Sequence, residues 1–545
     1  MDFTTSCEDT KWWMFILPTL LEIPRSCDAN LLLLFIFILF LGYGLLNWAC
    51  SAGGPAWKND RHRMGRVPIP GPNGLPFFGS LFSLSSGLAH RTLARMSLSH
   101  AASQLMAFSL GSTPVVVTND THIAREILTS PHFASRPIKE SAKQLMFSRA
   151  IGFAPDGSHW RMLRRIASTH LFAPKRVLAH QGVCRLECAA MLSAIGEEQS
   201  LKGFVQLRKH LQAASLNSIM EIVFGKRYNT TKHDNEAKEL NELVREGFEL
   251  LGAFNWSDHL PWLKYFYDPF CIQARCAALV PRVKKLVKEI IKEHRSEEDQ
   301  YKVKDNLDFV DILLSLEGEE KLDEDDMVAV LWEMIFRGTD TTALLTEWTM
   351  AELILNPNVQ SKLHCELQNI VQNNSCGLIT DADVAKSPYL EAVVKETLRL
   401  HPPGPLLSWA RLSTADVPLS NGMVIPTNTT AMVNMWAITH NPRIWEDPFV
   451  FRPERFLESA GGINVDVRGS DLRLAPFGAG RRVCPGKNLG LASVSLWVAN
   501  LVHSFEWIEN GARLVDLSEE LKLSCEMKKP LSSMAIPRAK GFFLD

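Results

Sequence analysis

Residues 477–486 read FGAGRRVCPG, and this short loop carries more information about the chain than any other segment. Its glycines permit tight backbone geometry, and the arginines beside Cys484 favour the thiolate over the thiol. The following run, Leu489 to Val502, has a helical pattern, so we expect the sulfur near the positive end of a helix. These conditions suit a thiolate that binds a metal. A buried thiol and a nucleophilic cysteine are the alternatives that this chemistry leaves open.

The loop also resembles a known family motif. Residues 477–486 match the haem-binding loop of cytochromes P450, Phe-x-x-Gly-x-Arg-x-Cys-x-Gly, at every fixed position. Four further motifs of that family occur in the family's order, so the resemblance covers essentially the whole chain. It implies a mainly α-helical fold with small β-sheets, a haem b cofactor, and Cys484 as the axial thiolate ligand of its iron. The implied activity is that of a haem-thiolate monooxygenase.

Residues 160–164, WRMLR, resemble the family's Trp-x-x-x-Arg motif. Residues four apart on a helix share a face, so the Trp160 indole and the Arg164 guanidinium can reach one carboxylate. In the family, that carboxylate belongs to a haem propionate. The resemblance implies the same cofactor-binding role for three more arginines, namely Arg136, Arg411 and Arg482.

Two motifs are assigned to structure rather than to catalysis. Residues 396–399, ETLR, resemble the family's Glu-x-x-Arg motif, and residues 453–456, PERF, follow later in the chain. An isolated Glu–Arg pair on a helix is usually solvated and contributes little to stability. In the family these motifs form a buried charge triad, which predicts that Glu396, Arg399 and Arg455 meet in the core.

A long helical pattern from Asp323 to Leu355 contains RGTDTT at residues 337–342. This segment resembles the oxygen-activating motif of the family. Gly, Thr and Asp are poor helix formers in the middle of a helix, and such a local weakness indicates a functional reason. The resemblance implies that Asp340 and Thr341 are catalytic and relay protons during oxygen activation.

Arg337 departs from that motif, whose first position is normally small. It lies four residues before Thr341 and four after Glu333, so these side chains share one face of the helix. An ion pair with Glu333 is one interpretation, and Asp340 is a second possible partner. The other interpretation is that Arg337 binds the acidic group of a substrate.

Periodicity indicates one large, mainly helical domain over residues 81–545. Apolar residues recur at three- and four-residue steps in 236–251, 278–294 and 387–400, which predicts helices there. A short extended segment at residues 114–117 predicts a strand of a small sheet. No second linker interrupts this region, which favours a single domain.

The N-terminal region, residues 1–50, contains an uncharged apolar run at 31–49 that predicts a transmembrane helix. A cleaved signal peptide is the alternative, but the run is too long and acidic residues replace the expected basic start. Basic residues are more frequent after the run than before it, which predicts a cytoplasmic catalytic domain. The alternating prolines of residues 68–76 predict a stiff spacer within a basic, proline-rich hinge at 51–80.

The composition argues against several other classes of protein. A formal net charge of −2 over 545 residues is not that of a typical nucleic-acid-binding protein. The 11 cysteines are too sparse for a disulfide framework and indicate a reducing compartment. The sequence has no flavin or nicotinamide fingerprint, so the electrons for an oxygenase would come from a separate protein.

At a finer level, the chain resembles plant microsomal A-type P450s and, among them, the plastochron-type growth regulators. This resemblance rests on FRGTDT at residues 336–341 and WAITH at residues 436–440. It implies a single-pass protein of the endoplasmic reticulum membrane that receives electrons from NADPH–cytochrome P450 reductase. It also implies a small hydrophobic substrate, with a fatty acid as the candidate, and a role in plant organ growth.

The sequence leaves two alternatives to the monooxygenase. The first is a haem-thiolate isomerase or dehydratase that acts on peroxides without a reductase. Such family members typically alter the oxygen-activating threonine and the haem loop, whereas this chain keeps both. The second is a non-catalytic membrane scaffold, which would have no need for a cysteine thiolate beside two arginines.

Overall fold

Helices form most of the chain. The computed structural model describes residues 29–49, 52–58, 61–85, 87–228, 235–297, 307–371, 378–407, 410–511 and 513–538. The α-helices, in chain order, are α1 (Ala29–Ala49), α2 (Leu81–Ser85), α3 (Ala89–Ser99), α4 (Thr121–Thr129), α5 (Glu140–Leu145), α6 (Ser158–His170), α7 (Pro174–Ala179), α8 (Gln181–Lys202), α9 (Leu207–Phe224), α10 (Asn235–Gly252), α11 (Trp256–His259), α12 (Ile272–Glu297), α13 (Phe309–Ser315), α14 (Glu324–Leu355), α15 (Pro357–Val371), α16 (Asp381–Val384), α17 (Pro388–Leu400), α18 (Met435–Thr439) and α19 (Lys487–Ser504).

The strands are short and form small sheets, as expected. They are β1 (Met106–Leu110), β2 (Thr113–Thr118), β3 (Val205–Gln206), β4 (Arg411–Leu412), β5 (Val417–Pro418), β6 (Val424–Ile425), β7 (Thr430–Val433), β8 (Phe505–Glu509), β9 (Glu519–Leu521), β10 (Cys525–Met527) and β11 (Ser532–Pro537). One sheet has the order β1-β2-β7-β4, in which only the β2–β7 pair is parallel. A second has the order β3-β11-β8, and two hairpins pair β9 with β10 and β5 with β6. The predicted strand at 114–117 is confirmed as part of β2.

The helices predicted from periodicity are confirmed, and two of them begin where a polar side chain caps them. α14 follows Asp323, whose carboxylate accepts a hydrogen bond from the Asp326 N–H at 2.6 Å. α17 follows Ser387, whose hydroxyl accepts one from the Leu390 N–H at 3.3 Å. Each cap satisfies a backbone donor that the first turn of a helix leaves without an intrahelical partner.

The long helix α14 lies in the core and packs against α9 and α19. Its side chains Trp332, Phe336 and Trp348 are fully buried. Gly338 allows the close approach of α9, because a Cβ there would lie 2.5 Å from Cδ1 of Ile219. The mid-helix glycine therefore has a packing reason in addition to its place in the oxygen-activating motif.

The predicted charge triad is confirmed. Arg399 donates from Nε and Nη2 to the two carboxylate oxygens of Glu396, each at 2.8 Å, and both side chains are fully buried. Arg455 donates from Nε to the same carboxylate at 3.1 Å. Nη1 of Arg399 also donates to the carbonyls of Thr439 and Pro448, at 2.9 and 2.7 Å. The triad thus joins α17 to the segment that precedes the haem loop.

The apolar run predicted at 31–49 lies within α1, which begins two residues earlier. Among the residues that the structure describes, no helix combines the length and apolar character needed to cross a membrane. The transmembrane span therefore stays a prediction. The rest of the N-terminal hydrophobic region, residues 1–28 and 50, lies outside the described residues.

The proline-rich segment before α2 packs onto the β1–β2 sheet. Trp57 is fully buried, and its indole donates to the carbonyl of Phe108 at 2.9 Å. The carbonyl of Pro70 accepts from the Ala107 N–H at 2.9 Å, and Ile69 is fully buried. Tertiary contacts therefore hold this segment against the sheet, and its role as a stiff spacer stays a prediction.

Candidate functional site

The loop that carries Cys484 has a backbone that only glycine adopts readily. Gly478 and Gly480 have φ values of 72° and 66°, in the left-handed region. A Cβ on Gly480 would lie 2.0 Å from the carbonyl oxygen of Leu128, so a side chain there would collide with α4. The loop is closed by a hydrogen bond of 2.9 Å from the Cys484 N–H to the carbonyl of Phe477. This fold places the sulfur just before the N-terminus of α19, where the helix dipole favours an anion.

Cys484 is part of the wall of an internal cavity of about 280 Å³. Helix α14 also lines it, through residues that include Thr341 and Leu345. The predicted metal ligand and the predicted oxygen-activating helix therefore share one cavity. Its apolar lining also includes Ile219, Phe248 and Leu407.

Arg482 and Arg164 line this cavity and are held by backbone carbonyls. Arg482 donates from Nε to Ala134 at 2.7 Å and from Nη2 to Ala154 at 2.7 Å. Burial lowers the pKa of Arg482 to about 10. Arg164 donates from Nη1 to the carbonyl of Val483 at 2.8 Å, next to the candidate ligand. Two of the four arginines predicted to bind the cofactor are therefore fixed at the cavity wall by backbone carbonyls.

Arg411 and Arg136 line the same cavity, although the sequence identified them only by loose local matches. Arg411 is buried, and its Nε and Nη1 find no hydrogen-bond acceptor within the described part of the chain. Burial lowers the pKa of Arg411 to about 9, and the charge of Arg482 acts in the same direction. Burial, followed by the charge of Arg411, also lowers the pKa of Arg136.

Trp160 lies behind these arginines and is not among the residues that line the cavity. Its indole N–H donates to the carbonyl of Ile151 at 3.0 Å. Its ring packs against Arg482, whose guanidinium carbon is 3.9 Å from the ring centroid. The predicted partner of a propionate is thus placed where it orients Arg482.

These residues fit a haem. A buried guanidinium without an acceptor is unfavourable, so the free donors of Arg411 call for an anionic group in the cavity. Haem b carries two propionates for the arginines, an iron for the Cys484 thiolate, and a flat apolar macrocycle for the apolar walls. The cavity brings together Cys484, Arg136, Arg164, Arg411 and Arg482 from the predicted cofactor-binding set.

Of the two predicted catalytic residues, only one lines the cavity. Thr341 lines it, whereas Asp340 turns toward a charged network behind α14. Burial raises the pKa of Asp340 to about 7, the charge of Glu526 adds to the rise, and Arg208 opposes it. Arg208 itself donates from Nε to Glu347 at 2.7 Å. Asp340 is therefore placed to hold a proton near neutral pH.

The ion pair predicted between Arg337 and Glu333 is confirmed. Nη1 of Arg337 lies 3.5 Å from Oε1 of Glu333, whose side chain is only 2% exposed. Burial raises the pKa of Glu333, and the charge of Arg337 opposes that rise. The Arg337 side chain is 34% exposed and also lines the cavity. The ion pair therefore leaves part of the guanidinium facing the cavity.

Sequence reasoning missed the groups that surround these side chains. The N–H of Gly152 donates to Oε1 of Glu333 at 2.8 Å, although the two residues are far apart in the chain. Arg208 and Glu526, which lie near Asp340, come from α9 and β10. No motif or periodicity marks these residues, because each contact depends on tertiary packing.

The chain has relatives in a known protein family. The sequence profile of the family described as Cytochrome P450 matches residues 69–531. The chain is similar to Cytochrome P450 78A7 of Arabidopsis thaliana, with 63% identity over 97% of this chain and 98% of that relative. It is 59% identical to Cytochrome P450 78A11 of Oryza sativa subsp. japonica and 58% identical to Cytochrome P450 78A1 of Zea mays, each over 98% of both chains. The chain therefore belongs to the cytochrome P450 family, the haem-thiolate monooxygenases whose haem iron is bound by a cysteine.

Proposed function

We propose that this P450 hydroxylates a fatty acid at the endoplasmic reticulum membrane, with electrons from NADPH–cytochrome P450 reductase, in the control of plant organ growth. The observation that carries the substrate class is the charge of the cavity. Five arginines line it, and Glu333 is the one carboxylate among its described lining residues. An anionic substrate would bring the net charge of the cavity closer to zero.

Once a haem is bound, four anionic groups would oppose the five arginines of the cavity. The two propionates of a haem and the carboxylate of Glu333 neutralise three of the five arginines. Asp156 lies near enough to Arg482 to stabilise a fourth positive charge. The five arginines therefore carry one positive charge more than these four anionic groups balance. Arg337 pairs with Glu333 and still lies partly exposed to the cavity, and a guanidinium has five donors, so we assign to it the substrate carboxylate as a second acceptor beside Glu333.

The cofactor and the catalytic residues have separate tasks. Haem bound by Cys484 supplies the chemistry that activates dioxygen. Arg164, Arg411 and Arg482 would hold the haem propionates. Thr341 holds a proton at its hydroxyl on the wall of the cavity, and Asp340 resupplies that proton from behind the helix.

The apolar lining suits an alkyl chain. Phe248 lines the cavity and stacks on Phe336 behind it, with ring centroids 4.1 Å apart. Ile219, Leu345 and Leu407 supply further apolar surface. A ligand whose alkyl chain binds along these residues and whose carboxylate binds Arg337 would be a fatty acid.

Exposed apolar side chains support the membrane location. The described side chains of α1 expose leucine, isoleucine and phenylalanine along most of the helix. A second exposed cluster follows α11 and contains Trp262, Tyr265, Phe266 and Phe270. Aromatic residues favour the membrane interface. A fatty acid partitions into the same bilayer, so the anchor would raise its concentration at the catalytic domain.

The experiment that tests this proposal is reconstitution of the full chain with a plant reductase in lipid vesicles. We expect NADPH-dependent hydroxylation of dodecanoic acid and much slower turnover of its methyl ester. Arg337→Ala should weaken binding of the acid by about 1.5–3 kcal/mol and leave the ester unaffected. Equal losses for acid and ester would remove Arg337 as the anchor. Turnover of hydroperoxides without the reductase, and of no substrate with it, would favour the isomerase class instead.

A further inference from the structure

Gly152 is buried and meets the Arg337–Glu333 pair from the loop between α5 and α6. Its N–H donates to Oε1 of Glu333 at 2.8 Å, the same oxygen that lies 3.5 Å from Nη1 of Arg337. A Cβ on Gly152 would lie 2.3 Å from that Nη1 and 2.5 Å from that Oε1. The guanidinium thus occupies the space that a side chain at residue 152 would fill.

We propose that Gly152 is a specificity-determining residue, which positions Arg337 through Glu333 so that the guanidinium faces the substrate cavity. The inference rests on the proposed binding of a carboxylate by Arg337. Gly152 acts in two ways: its N–H fixes the acceptor oxygen of Glu333, and its missing side chain leaves room for the guanidinium. Because both effects act through Glu333 and Arg337, Gly152 is a positioning residue.

The Gly152 backbone is itself held by the haem-binding part of the protein. The carbonyl of its neighbour Ile151 accepts from the Trp160 indole at 3.0 Å and from Nη1 of Arg482 at 3.2 Å. The carbonyl of Ala154 accepts from Nη2 of Arg482 at 2.7 Å. A segment fixed on both sides of residue 152 gives the N–H a defined direction. Arg482 in the haem loop and Arg337 on α14 are therefore linked through this one segment.

A methyl group at residue 152 should displace Arg337 without unfolding the protein. Both close contacts of the added Cβ are with the ends of long side chains, which can move aside by rotating. Gly182→Ala is the matched control, because a Cβ at Gly182 meets no atom within 4 Å. The two variants make the same chemical change and differ in what the new methyl group contacts.

The test measures binding of dodecanoic acid and methyl dodecanoate to the haem-loaded full chain, by calorimetry and by the spectral shift of the haem. We expect wild type and Gly182→Ala to prefer the acid. Gly152→Ala should lose about tenfold or more of its acid affinity, with the ester unchanged, since a charged hydrogen bond to the carboxylate is lost. Combining Gly152→Ala with Arg337→Gln should add nothing to Arg337→Gln alone, because both act on one guanidinium.

The outcomes separate the two ideas. If wild type does not prefer the acid, the proposed carboxylate substrate is wrong. If wild type prefers the acid and Gly152→Ala keeps the same preference, or loses affinity for acid and ester alike, the role of Gly152 is wrong.

Should Gly152→Ala fail to bind haem, Glu333→Gln provides the test. It keeps the acceptor oxygen and removes the competing charge, so acid affinity should rise with the ester unchanged, and a parallel loss of both would overturn the inference.

Discussion

The guanidinium carbon of Arg482 lies 3.9 Å from the centre of the Trp160 indole ring. The two side chains also donate to one acceptor, the carbonyl of Ile151, at 3.2 and 3.0 Å. The indole therefore supports the arginine by a cation–π contact and by a shared hydrogen-bond acceptor. Trp160 contributes to the haem site by fixing the direction of Arg482.

This relationship predicts different effects for two substitutions of Trp160. Trp160→Ala should destabilise the protein by about 3–5 kcal/mol, as expected for loss of a large buried ring, and should lower its haem content. Trp160→Phe keeps an aromatic face under Arg482 and loses the N–H donor, so we expect most of the haem to remain. The haem-to-protein ratio and thermal unfolding measure both effects. Full haem content in Trp160→Ala would contradict the supporting role.

The axial ligand has a direct spectroscopic test. Cys484→Ala should abolish the thiolate-type Soret band of the reduced, CO-bound protein. Cys184 also lines the cavity, but burial raises the pKa of its thiol to about 11, so it should not supply a thiolate instead. Cys365→Ala is the control, since Cys365 is an exposed free cysteine on α15. A normal band in Cys484→Ala, or its loss in Cys365→Ala, would show that the ligand is misassigned.

The sequence predicted the elements and side chains that depend on local pattern. Cys484, Glu396 and Arg399 lie in contiguous motifs, and the structure places them as expected. The helices followed from periodicity, since apolar spacing reflects one buried face. Arg136 was identified by a weaker match and nevertheless lines the cavity, because the loop before α5 runs along its wall.

What the sequence did not predict depends on contacts between distant segments. The i,i+4 spacing of Trp160 and Arg164 placed them on one face, but could not say that Arg482 would lie between the indole and the cavity. The N–H of Gly152 has no sequence signal, because any residue other than proline carries the same donor. Its requirement for glycine appears only when α14 brings Arg337 beside it.

Removal of Glu396 should be among the most damaging substitutions outside the cavity. Glu396→Ala would leave Arg399 and Arg455 buried without their carboxylate, which typically costs about 3–5 kcal/mol. Glu391→Ala on the same helix is the control. Its ion pair with Lys395 is exposed on the glutamate side, and we expect a loss below about 1 kcal/mol. Chemical denaturation of the two variants compares them, and similar losses would contradict a special role for the triad.

Thr341 should control how efficiently electrons are used. Thr341→Ala removes the hydroxyl from the cavity wall, so NADPH consumption should continue while product is lost to peroxide or water. We expect the ratio of product to NADPH to fall about tenfold or more. Thr349→Ala serves as the control, because its buried hydroxyl bonds to the carbonyl of Leu345 within α14. Unchanged coupling in Thr341→Ala would exclude Thr341 from the proton relay.

The raised pKa of Asp340 predicts a pH dependence of both stability and coupling. The folded-state pKa is about 7, whereas an unperturbed aspartate has a pKa of about 3.9. Between these values the folded chain keeps a proton that the unfolded chain releases, so stability should fall as pH rises toward 7 and level off above it. The amide introduced by Asp340→Asn cannot ionise, so this variant should lack that fall in stability between about pH 4 and 7.

Coupling should follow the protonated fraction of Asp340, because only the neutral carboxyl can donate a proton toward Thr341. The product yield per NADPH should therefore fall as pH rises through about 7, and Asp340→Asn should flatten the profile. Glu526→Gln removes a nearby negative charge that raises the pKa of Asp340, so it should move this fall in product yield to lower pH.

Glu520→Gln is the matched control. Glu520 lies opposite Glu526 in the β9–β10 hairpin, and its charge is not one of the main causes of the raised pKa of Asp340. If Glu526→Gln and Glu520→Gln both keep the wild-type midpoint, another group sets the pH dependence, since removal of a carboxylate beside Asp340 cannot leave its protonation unchanged.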